Sequence, residues 1–333
     1  MRDDMANREF GESPAAAVAT SDAANGDSGA ETESGGAWTA EVAIVERRGA
    51  WQEIWRRLRQ DRFAMAGLVV ICALTAIAIF APWIAPHDPT TQFRDGLRID
   101  GLPVGPSSKF LLGTDSLGRD LLSRLIYGSR ISLLVAVVAR ALTLIPAVVL
   151  GLVAGFAGGK TETLIMRFTD VMMAFPIYLL AMALVVVLKP GLTTLIGVIV
   201  LIFWTSLARV LHGEVLSIKE SQFVTAARLG GCSNARILFR HILPHMAAPI
   251  IVYTTLGLGN IILFEAAMSY IGLGIQPPTP SWGNMIAAGQ KFYMAAPLLV
   301  VVPGVVMMAT VLAFNLVGDG LRDAFDPLQR RVR

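Results

Sequence analysis

Long apolar runs, separated by short polar breaks, constrain the fold of this chain more than any other feature. A helix needs about 20 consecutive apolar residues to cross a hydrocarbon layer of about 30 Å, and the chain repeatedly supplies runs of that length after residue 63. With 54% hydrophobic and only 16% charged residues, the composition excludes an ordinary soluble domain. We therefore predict an all-α polytopic membrane protein with six spans, at about 64–84, 131–156, 164–188, 192–211, 247–271 and 292–317.

The first 63 residues differ from the rest of the chain. Residues 1–50 are rich in Ala, Gly, Ser, Asp and Glu without an apolar period, so they bury too little surface to offset the entropy of ordering. We predict a disordered cytoplasmic tail, because the basic and apolar regions of a secretory signal are missing. Residues 51–63 favour an interfacial amphipathic helix, with a charged flank of the first span as the alternative. The apolar face of this helix carries Trp51, Ile54, Trp55 and Leu58.

The distribution of Lys and Arg predicts which side of the membrane each connection faces. Basic residues precede the first span, lie between the second and third and between the fourth and fifth spans, and close the chain. Since cytoplasmic loops carry an excess of Lys and Arg, an even number of spans predicts that both termini and residues 214–246 are cytoplasmic. The polar segment, residues 87–130, would then be external. It contains turn residues at Asp100-Gly101, and Thr114 or Asp115 is a natural N-cap for an amphipathic helix that enters the bilayer.

Residues 214–246, here called the connecting segment, form the longest polar break in the apolar part of the chain. Phe223, Ala226, Ala227 and Gly230 are three and four residues apart and would share one face of a helix. The Gly230-Gly231 pair permits a turn with positive φ, and the following Ser233 can cap a second short helix. The pattern indicates a helix-turn-helix across a membrane face, and an ordered loop that merely links two spans is the alternative.

We single out four polar side chains within the predicted spans, where contact with lipid would be costly. They are Arg140 in the second span, Asp170 in the third, and Asn260 and Glu265 in the fifth. We interpret Arg140, Asn260 and Glu265 as candidates for the polar wall of a translocation path, with an internal pair or a snorkelling side chain as the alternative. For Asp170 we expect an internal pair with Arg167, which lies three residues earlier.

The sequence contains no convincing pattern for catalysis or metal binding. Residues 154–161 match a relaxed phosphate loop, but such a loop follows a short strand, whereas a spanning run precedes it here. His241 and His245 are four residues apart, but Pro244 interrupts the helix and no Glu adjoins His241. The two cysteines give no disulfide framework. We expect no catalytic residue, metal or cofactor in this chain, membrane lipid as a partner, and no nucleic acid.

Several strings in the chain resemble one family of membrane proteins. Residues 223–233 read FVTAARLGGCS and are followed by RHILPH, which resembles the EAA motif of ABC importer membrane subunits. Thr225 departs from that motif, because the family usually carries Glu there. Four further strings, in one order, are similar to signatures of the C-type dipeptide/oligopeptide/nickel permease subunit. They read LLGTDSLGRDLLSRLIYGSRISL, FAGGKTETLIMRFTDVMMAFP, LGLGIQPPTPSWGNM and AFNLVGDGLRDAFDP.

The resemblance implies a type I ABC importer permease-like fold for residues 64–333, with six transmembrane helices and a cytoplasmic coupling helix. It implies a non-catalytic subunit of the bacterial cytoplasmic membrane that moves di- or oligopeptides or similar solutes by alternating access, while partner subunits bind ATP and Mg. The implied partners are a homologous second permease, two cytoplasmic ATPases and an extracytoplasmic solute-binding protein. The implied ATPase-docking residues are Phe223, Thr225, Ala226, Ala227, Arg228, Gly231 and Ser233.

Two other classes of protein stay open at this point. An ion-coupled secondary transporter would use Glu265 or Asp170 as its coupling carboxylate. An intramembrane hydrolase would need a nucleophile and base or a metal constellation within the spans, and the sequence shows none. Co-purification of ATPase subunits with the chain would separate the importer from both alternatives.

Overall fold

A computed structural model describes residues 50–325, so the predicted tail at 1–50 lies almost wholly outside the described residues. Within that range the regular elements are all helices, with two isolated β-bridges in the turns and loops between them, which confirms the all-α prediction. The helices are α1 (Ala50–Gln60), α2 (Arg62–Ile79), α3 (Ala81–Ile84), α4 (Leu121–Ala157), α5 (Gly159–Ala174), α6 (Ile177–Leu188), α7 (Leu192–Lys219), α8 (Gln222–Leu229), α9 (Asn234–Arg236), α10 (Leu243–His245), α11 (Ala247–Tyr270), α12 (Trp282–Gly289) and α13 (Leu298–Phe325).

Five of these helices, α2, α4, α7, α11 and α13, are long and apolar enough to cross a membrane. The pair α5 and α6 is a sixth candidate span, and its axes bend by 87° at a short break. The sequence predicted a single run at 164–188, so the break is a correction. Its physical cause is Pro176, which lacks an amide donor and disfavours helical geometry at the preceding Phe175. Phe175 accordingly has an extended backbone, with φ −80° and ψ 135°.

Helix α4 begins at Leu121, ten residues before the predicted start of the second span at 131, and runs for 37 residues. Its N-cap is Asp120, whose carboxylate accepts a hydrogen bond from the Ser123 amide at 2.9 Å. The predicted caps were therefore wrong. The Thr114 hydroxyl instead donates to the Gly96 carbonyl at 2.5 Å, so it joins two turns of the polar segment.

The ends of two other spans also differ from the prediction. Helix α7 continues to Lys219 rather than ending near 211, because its last turns leave the apolar run but still pack on protein, with Leu211 and Val215 fully buried. Helix α13 begins at Leu298 rather than 292, since residues 290–292 form a separate 3-10 turn.

The predicted interfacial stretch forms α1, which packs against the bundle. Leu58 is buried, whereas Trp55 stays exposed beneath the Arg59 guanidinium, 5.0 Å from its ring centroid. Asp61 then caps α2 by accepting hydrogen bonds from the amides of Phe63 and Ala64 at 2.8 and 3.2 Å. The turn between α1 and α2 is therefore held by a side-chain cap.

Helices α4 and α7 cross closely, and glycines permit that approach. A Cβ atom added at Gly155 would lie 2.7 Å from the Val215 Cβ, and one at Gly151 would lie 2.8 Å from the Ala208 carbonyl oxygen. Small residues at helix crossings let backbones approach in a membrane, where the hydrophobic effect does not drive association. The α4–α7 pair therefore forms a tightly packed unit at the centre of the bundle.

The polar segment is held together by a buried ion cluster. The Asp115 carboxylate contacts the Arg119 guanidinium at 2.7 Å and that of Arg124 at 3.1 Å, and all three side chains are less than a tenth exposed. At the surface, the Lys109 ammonium donates a hydrogen bond to Asp95 at 2.5 Å and holds the pKa of that carboxyl below its ordinary value.

Candidate functional site

The connecting segment folds as two helical pieces around a glycine turn. Helix α8 ends at Leu229 with Gly230 as its C-cap, and Gly231 has φ +73°, which confirms the predicted turn with positive φ. The Ser233 hydroxyl then accepts a hydrogen bond from the Arg236 amide at 3.4 Å, as predicted for an N-cap. From there α9, a π-helical turn at Ile237–Ile242 and α10 lead directly into α11.

One side of the connecting segment is buried against the spans. Val224 of α8 is fully buried, and so are Ile237, Ile242 and Met246 farther along. These side chains belong to one apolar cluster that also contains Val215 and other residues from the end of α7. The segment is therefore packed as a solid unit with α7 and α11.

The opposite side of α8 is exposed and apolar. Phe223 is 38% exposed, Leu229 is 86% exposed, and Ala226 also faces outward, whereas Ala227 is half-buried. The four residues predicted to share one face therefore divide between an outward and an inward side. Leu229, the last residue of α8, was not among the residues that the sequence analysis singled out.

Four contacts fix the orientation of side chains around this exposed surface. The Phe223 ring stacks on the His245 imidazole, with centroids 4.7 Å apart and planes 16° apart, and His245 Nδ1 contacts the His241 carbonyl oxygen at 2.7 Å. The Arg228 guanidinium lies 5.8 Å from the centroid of the Phe156 ring. The Thr225 hydroxyl, where the EAA motif usually has an acid, donates back to the Ser221 carbonyl at 3.3 Å.

A cavity of about 490 Å³ opens between α4, the α5–α6 break, α7 and α11. It contains two of the three residues that the sequence suggested for a path, Arg140 and Asn260, and it does not include Glu265. The remaining lining residues are Met172, Met173, Phe175, Ile177, Ile202, Phe203, Thr205, Ser206, Leu207, Val210, Tyr253, Leu256 and Gly257.

Arg140 reaches across from α4 to the backbone of α11. Its Nε atom donates to the Thr254 carbonyl at 3.2 Å, and its Nη2 atom donates to the Tyr253 carbonyl. The guanidinium lies directly over Gly257, where an added Cβ would be 2.4 Å from the Arg140 Cζ atom. The glycine therefore makes room for the cation at the cavity wall.

Glu265 lies in a different environment, fully buried at the junction of α4, α11 and α12. Its carboxylate accepts hydrogen bonds from Ser269 at 2.7 Å and from Ser132 at 3.2 Å. The Ser132 hydroxyl in turn accepts one from the Trp282 amide at 3.3 Å. Glu265 therefore joins three helices.

Asp170 is half-exposed and pairs with Arg209 of α7, while the predicted partner Arg167 is farther away at 3.9 Å. A second contact between α5 and α7 joins Glu162 to His212 at 2.8 Å. These pairs attach the first half of the bent span to the helix that leads into α8. Across residues 50–325, no group of three or more His, Cys, Asp or Glu side chains is arranged to hold a metal ion.

The protein therefore has apolar helices around a cavity and a tightly packed connecting segment at one end. This arrangement is that of the class of helical membrane permeases. Residues 147–331 match the family described as the binding-protein-dependent transport system inner membrane component, and residues 49–100 match the N-terminal TM domain of oligopeptide transport permease C. The chain belongs to this family of ABC importer permeases, in its dipeptide/oligopeptide group, as its signature strings predicted.

Curated relatives share most of their length with this chain. The di/tripeptide transport system permease protein of Pseudomonas aeruginosa is 43% identical over 83% of this chain and 91% of its own. The dipeptide transport system permease protein of Alkalihalophilus pseudofirmus is 41% identical over 83% and 90%. The glutathione transport system permease protein of Escherichia coli is 42% identical over 84% and 91%.

The fold is also found among solved structures. The inward-facing MetNI methionine ABC transporter matches with a TM-score of 0.52 and 16% identity, over 61% of this chain and 96% of its own. The likeness supports a permease fold for the bundle.

Proposed function

We propose that this chain is the translocating subunit of an ATP-driven importer, in which α8 receives mechanical work from partner ATPases. The observation that carries the proposal is the continuity between α8 and the cavity. Val224 is buried in the same cluster as Val215 of α7, and α7 runs unbroken from there to the cavity residue Ser206. At about 1.5 Å per residue, Lys219 lies about 20 Å along the helix from Ser206.

The other end of the connecting segment reaches the cavity by a second route. Met246 is fully buried at the start of α11, and the cavity residues Tyr253, Gly257 and Asn260 follow on one face of that helix. A displacement of α8 would therefore move two cavity walls together. Such rigid-body movement of packed helices is a recurrent way of switching a membrane cavity from one side to the other.

We place the connecting segment and both termini in the cytoplasm and the polar segment outside, following the distribution of Lys and Arg. ATP and Mg would be bound by two partner ATPase chains, and a second permease and an extracytoplasmic binding protein would complete the transporter. The names of the relatives favour small peptides, including glutathione-like solutes, as the transported class.

The ion-coupled alternative is less well supported. Its main candidate, Glu265, is 0% exposed and bonded to two serines, and its second candidate, Asp170, is paired with Arg209. A coupling carboxylate must meet the transported ion during the cycle, and neither residue lines the cavity of about 490 Å³.

Docking can be tested without disturbing the fold by a change at Leu229, which is 86% exposed. We expect Leu229→Ser to insert normally while co-purification of the ATPases in mild detergent and ATP-driven uptake fall together. Ile99→Ser is the matched control, because Ile99 is fully exposed in the polar segment at a site that no ATPase should reach. Normal uptake and co-purification in Leu229→Ser would refute docking at this surface.

Two further variants test the shape of the segment. Ala227→Trp overfills the half-buried side of α8, and Gly231→Val forces a β-branched residue to φ +73°. Both should insert but lose uptake and ATPase co-purification. Gly213→Ala, in α7 with no atom within 4 Å of the added Cβ, should keep both.

A further inference from the structure

Arg140 is the one charged residue among those lining the cavity of about 490 Å³. It has no ion-pair partner among residues 50–325, and its two hydrogen bonds go to backbone carbonyls, which carry no net charge. An ionised group removed from water without a counter-charge is costly, and such groups inside membranes usually mark a functional site.

Hydrogen bonds to α11 fix the orientation of the Arg140 guanidinium. Its Nε and Nη2 atoms donate to the carbonyls of Thr254 and Tyr253, and the Cα of Gly257 gives its planar face room. Arg140 is only 5% exposed but lines the cavity, and its Nη1 atom makes no hydrogen bond within the described part of the chain, so it keeps N–H donors for a ligand. A fixed guanidinium with free N–H groups matches the geometry of a carboxylate.

Asn260 adds a neutral donor on the same wall. It is exposed, lines the cavity three residues after Gly257, and its amide makes no hydrogen bond to the described residues. Tyr253, 42% exposed, lies on the same face of α11 one turn before Gly257. An anion in the cavity would therefore meet one cation, Arg140, and one amide donor, Asn260. The lining contains no carboxylate that could pair with an ammonium group.

We propose that Arg140, supported by Asn260, binds the carboxylate of the transported solute inside the cavity. This inference rests on the proposed function and adds to it the end of the solute that the permease recognises. A charged group would then enter a membrane cavity with its counter-charge already in place. The N-terminal ammonium of a peptide would stay in the water-filled part of the cavity.

The test uses the full transporter in lipid nanodiscs without its binding protein, so that only the membrane subunits contact the probe. The probes are alanyl-4-benzoylphenylalanine with a free carboxylate and its C-terminal amide, cross-linked by light and mapped by mass spectrometry. We expect about tenfold more labelling of the cavity helices by the carboxylate probe, the usual scale for one charge-assisted hydrogen bond. The N-acetylated carboxylate probe should label as strongly as the free dipeptide.

Variants assign the preference to Arg140. Arg140→Gln should label equally weakly with both probes, and Arg140→Lys should keep a reduced preference because it retains the charge but not the planar fork. Gly257→Ala should reduce the preference with the charge still present, since its Cβ displaces the guanidinium. Arg167→Gln removes an exposed arginine outside the cavity and should change nothing.

Three results would overturn the carboxylate site: equal labelling by the two original probes, a preference that survives Arg140→Gln, or no labelling of the cavity helices. ATPase co-purification is measured on the same preparations and reports on the proposed function separately. A carboxylate preference in a chain that binds no ATPase would leave the site standing and refute the ATP-driven importer.

Discussion

The ring of Phe223 lies face to face with the imidazole of His245, with their centroids 4.7 Å apart. The stack joins α8 to the helical turn that immediately precedes α11, although the two residues are separated by the glycine turn. The stack brings the two helical pieces of the connecting segment into contact and holds the exposed Phe223 side chain in one orientation. The orientation of this aromatic ring is therefore set by a residue outside α8.

Loss of the stack should weaken coupling between α8 and α11. An aromatic pair contributes about 0.5–1.5 kcal/mol beyond its buried area, so we expect His245→Ala to lower the uptake rate about fivefold with unchanged insertion. His245→Phe should retain most of the rate. His241→Ala is the control, because only the backbone carbonyl of His241 contacts His245. Equal rates in His245→Ala and unsubstituted protein would contradict a mechanical role for the stack.

A methyl group at Gly257 should destabilise the bundle even though alanine favours helices. Replacing Gly by Ala inside a helix stabilises it by about 1 kcal/mol through helix propensity. The added Cβ would, however, lie 2.4 Å from the Arg140 Cζ atom, and overpacking costs about 1–3 kcal/mol. We expect a lower midpoint of thermal unfolding in Gly257→Ala and partial recovery when Arg140→Met is added. Gly197→Ala, with open space around its Cβ, provides the comparison. Additive effects of the two changes would show that the residues do not interact.

Glu265 should be needed for stability rather than for transport. Glu265→Leu removes the acceptor of two buried serine hydroxyls, and unsatisfied buried groups cost about 1–3 kcal/mol each, so the variant should unfold at a lower temperature. Glu265→Gln keeps an acceptor and should transport at near the normal rate. If Glu265→Gln has a normal unfolding midpoint but no uptake, the residue belongs to the transport cycle and the ion-coupled alternative gains support.

The ion cluster of the polar segment should be sensitive to loss of its single acid. Asp115→Asn leaves the guanidinium groups of Arg119 and Arg124 buried without a counter-charge, which costs about 3–5 kcal/mol. We expect reduced accumulation of the protein and a lower unfolding midpoint. The exposed pair of Arg98 and Asp100 is the control, since Asp100→Asn should cost less than about 1 kcal/mol. If Asp115→Asn and Asp100→Asn lowered the unfolding midpoint equally, burial of the Asp115 ion cluster would not explain its contribution to stability.

The long apolar helices could be predicted because lipid imposes a length and a composition on each span. The break at Pro176 could have been predicted from the proline itself, but the apolar run continues through it and hid the bend. The start of α4 was missed for a different reason. Asp120 takes the cap because its carboxylate reaches the Ser123 amide, whereas Asp115 is already committed to two arginines.

The site was predictable in its local chemistry but not in its long-range contacts. Gly231 and Ser233 follow rules that act over a few residues, so the turn at Gly231 and the helix cap at Ser233 were correctly predicted. The packing of Arg140 over Gly257 and the stack of Phe223 on His245 join residues far apart in sequence or across a turn. Periodicity carries no information about such pairs. The spacing of His241 and His245 likewise did not reveal that His245 contacts the His241 carbonyl and stacks on Phe223.

The bend between α5 and α6 also determines how wet the bundle interior must be. Helix ends leave amides and carbonyls without intrahelical partners, and in lipid such groups must meet protein or water. Met172, Met173, Phe175 and Ile177 place these ends beside the cavity of about 490 Å³. Where these groups find no partner in the protein, water in the cavity must supply one, so a solute that enters exchanges places with solvent instead of filling a dry void.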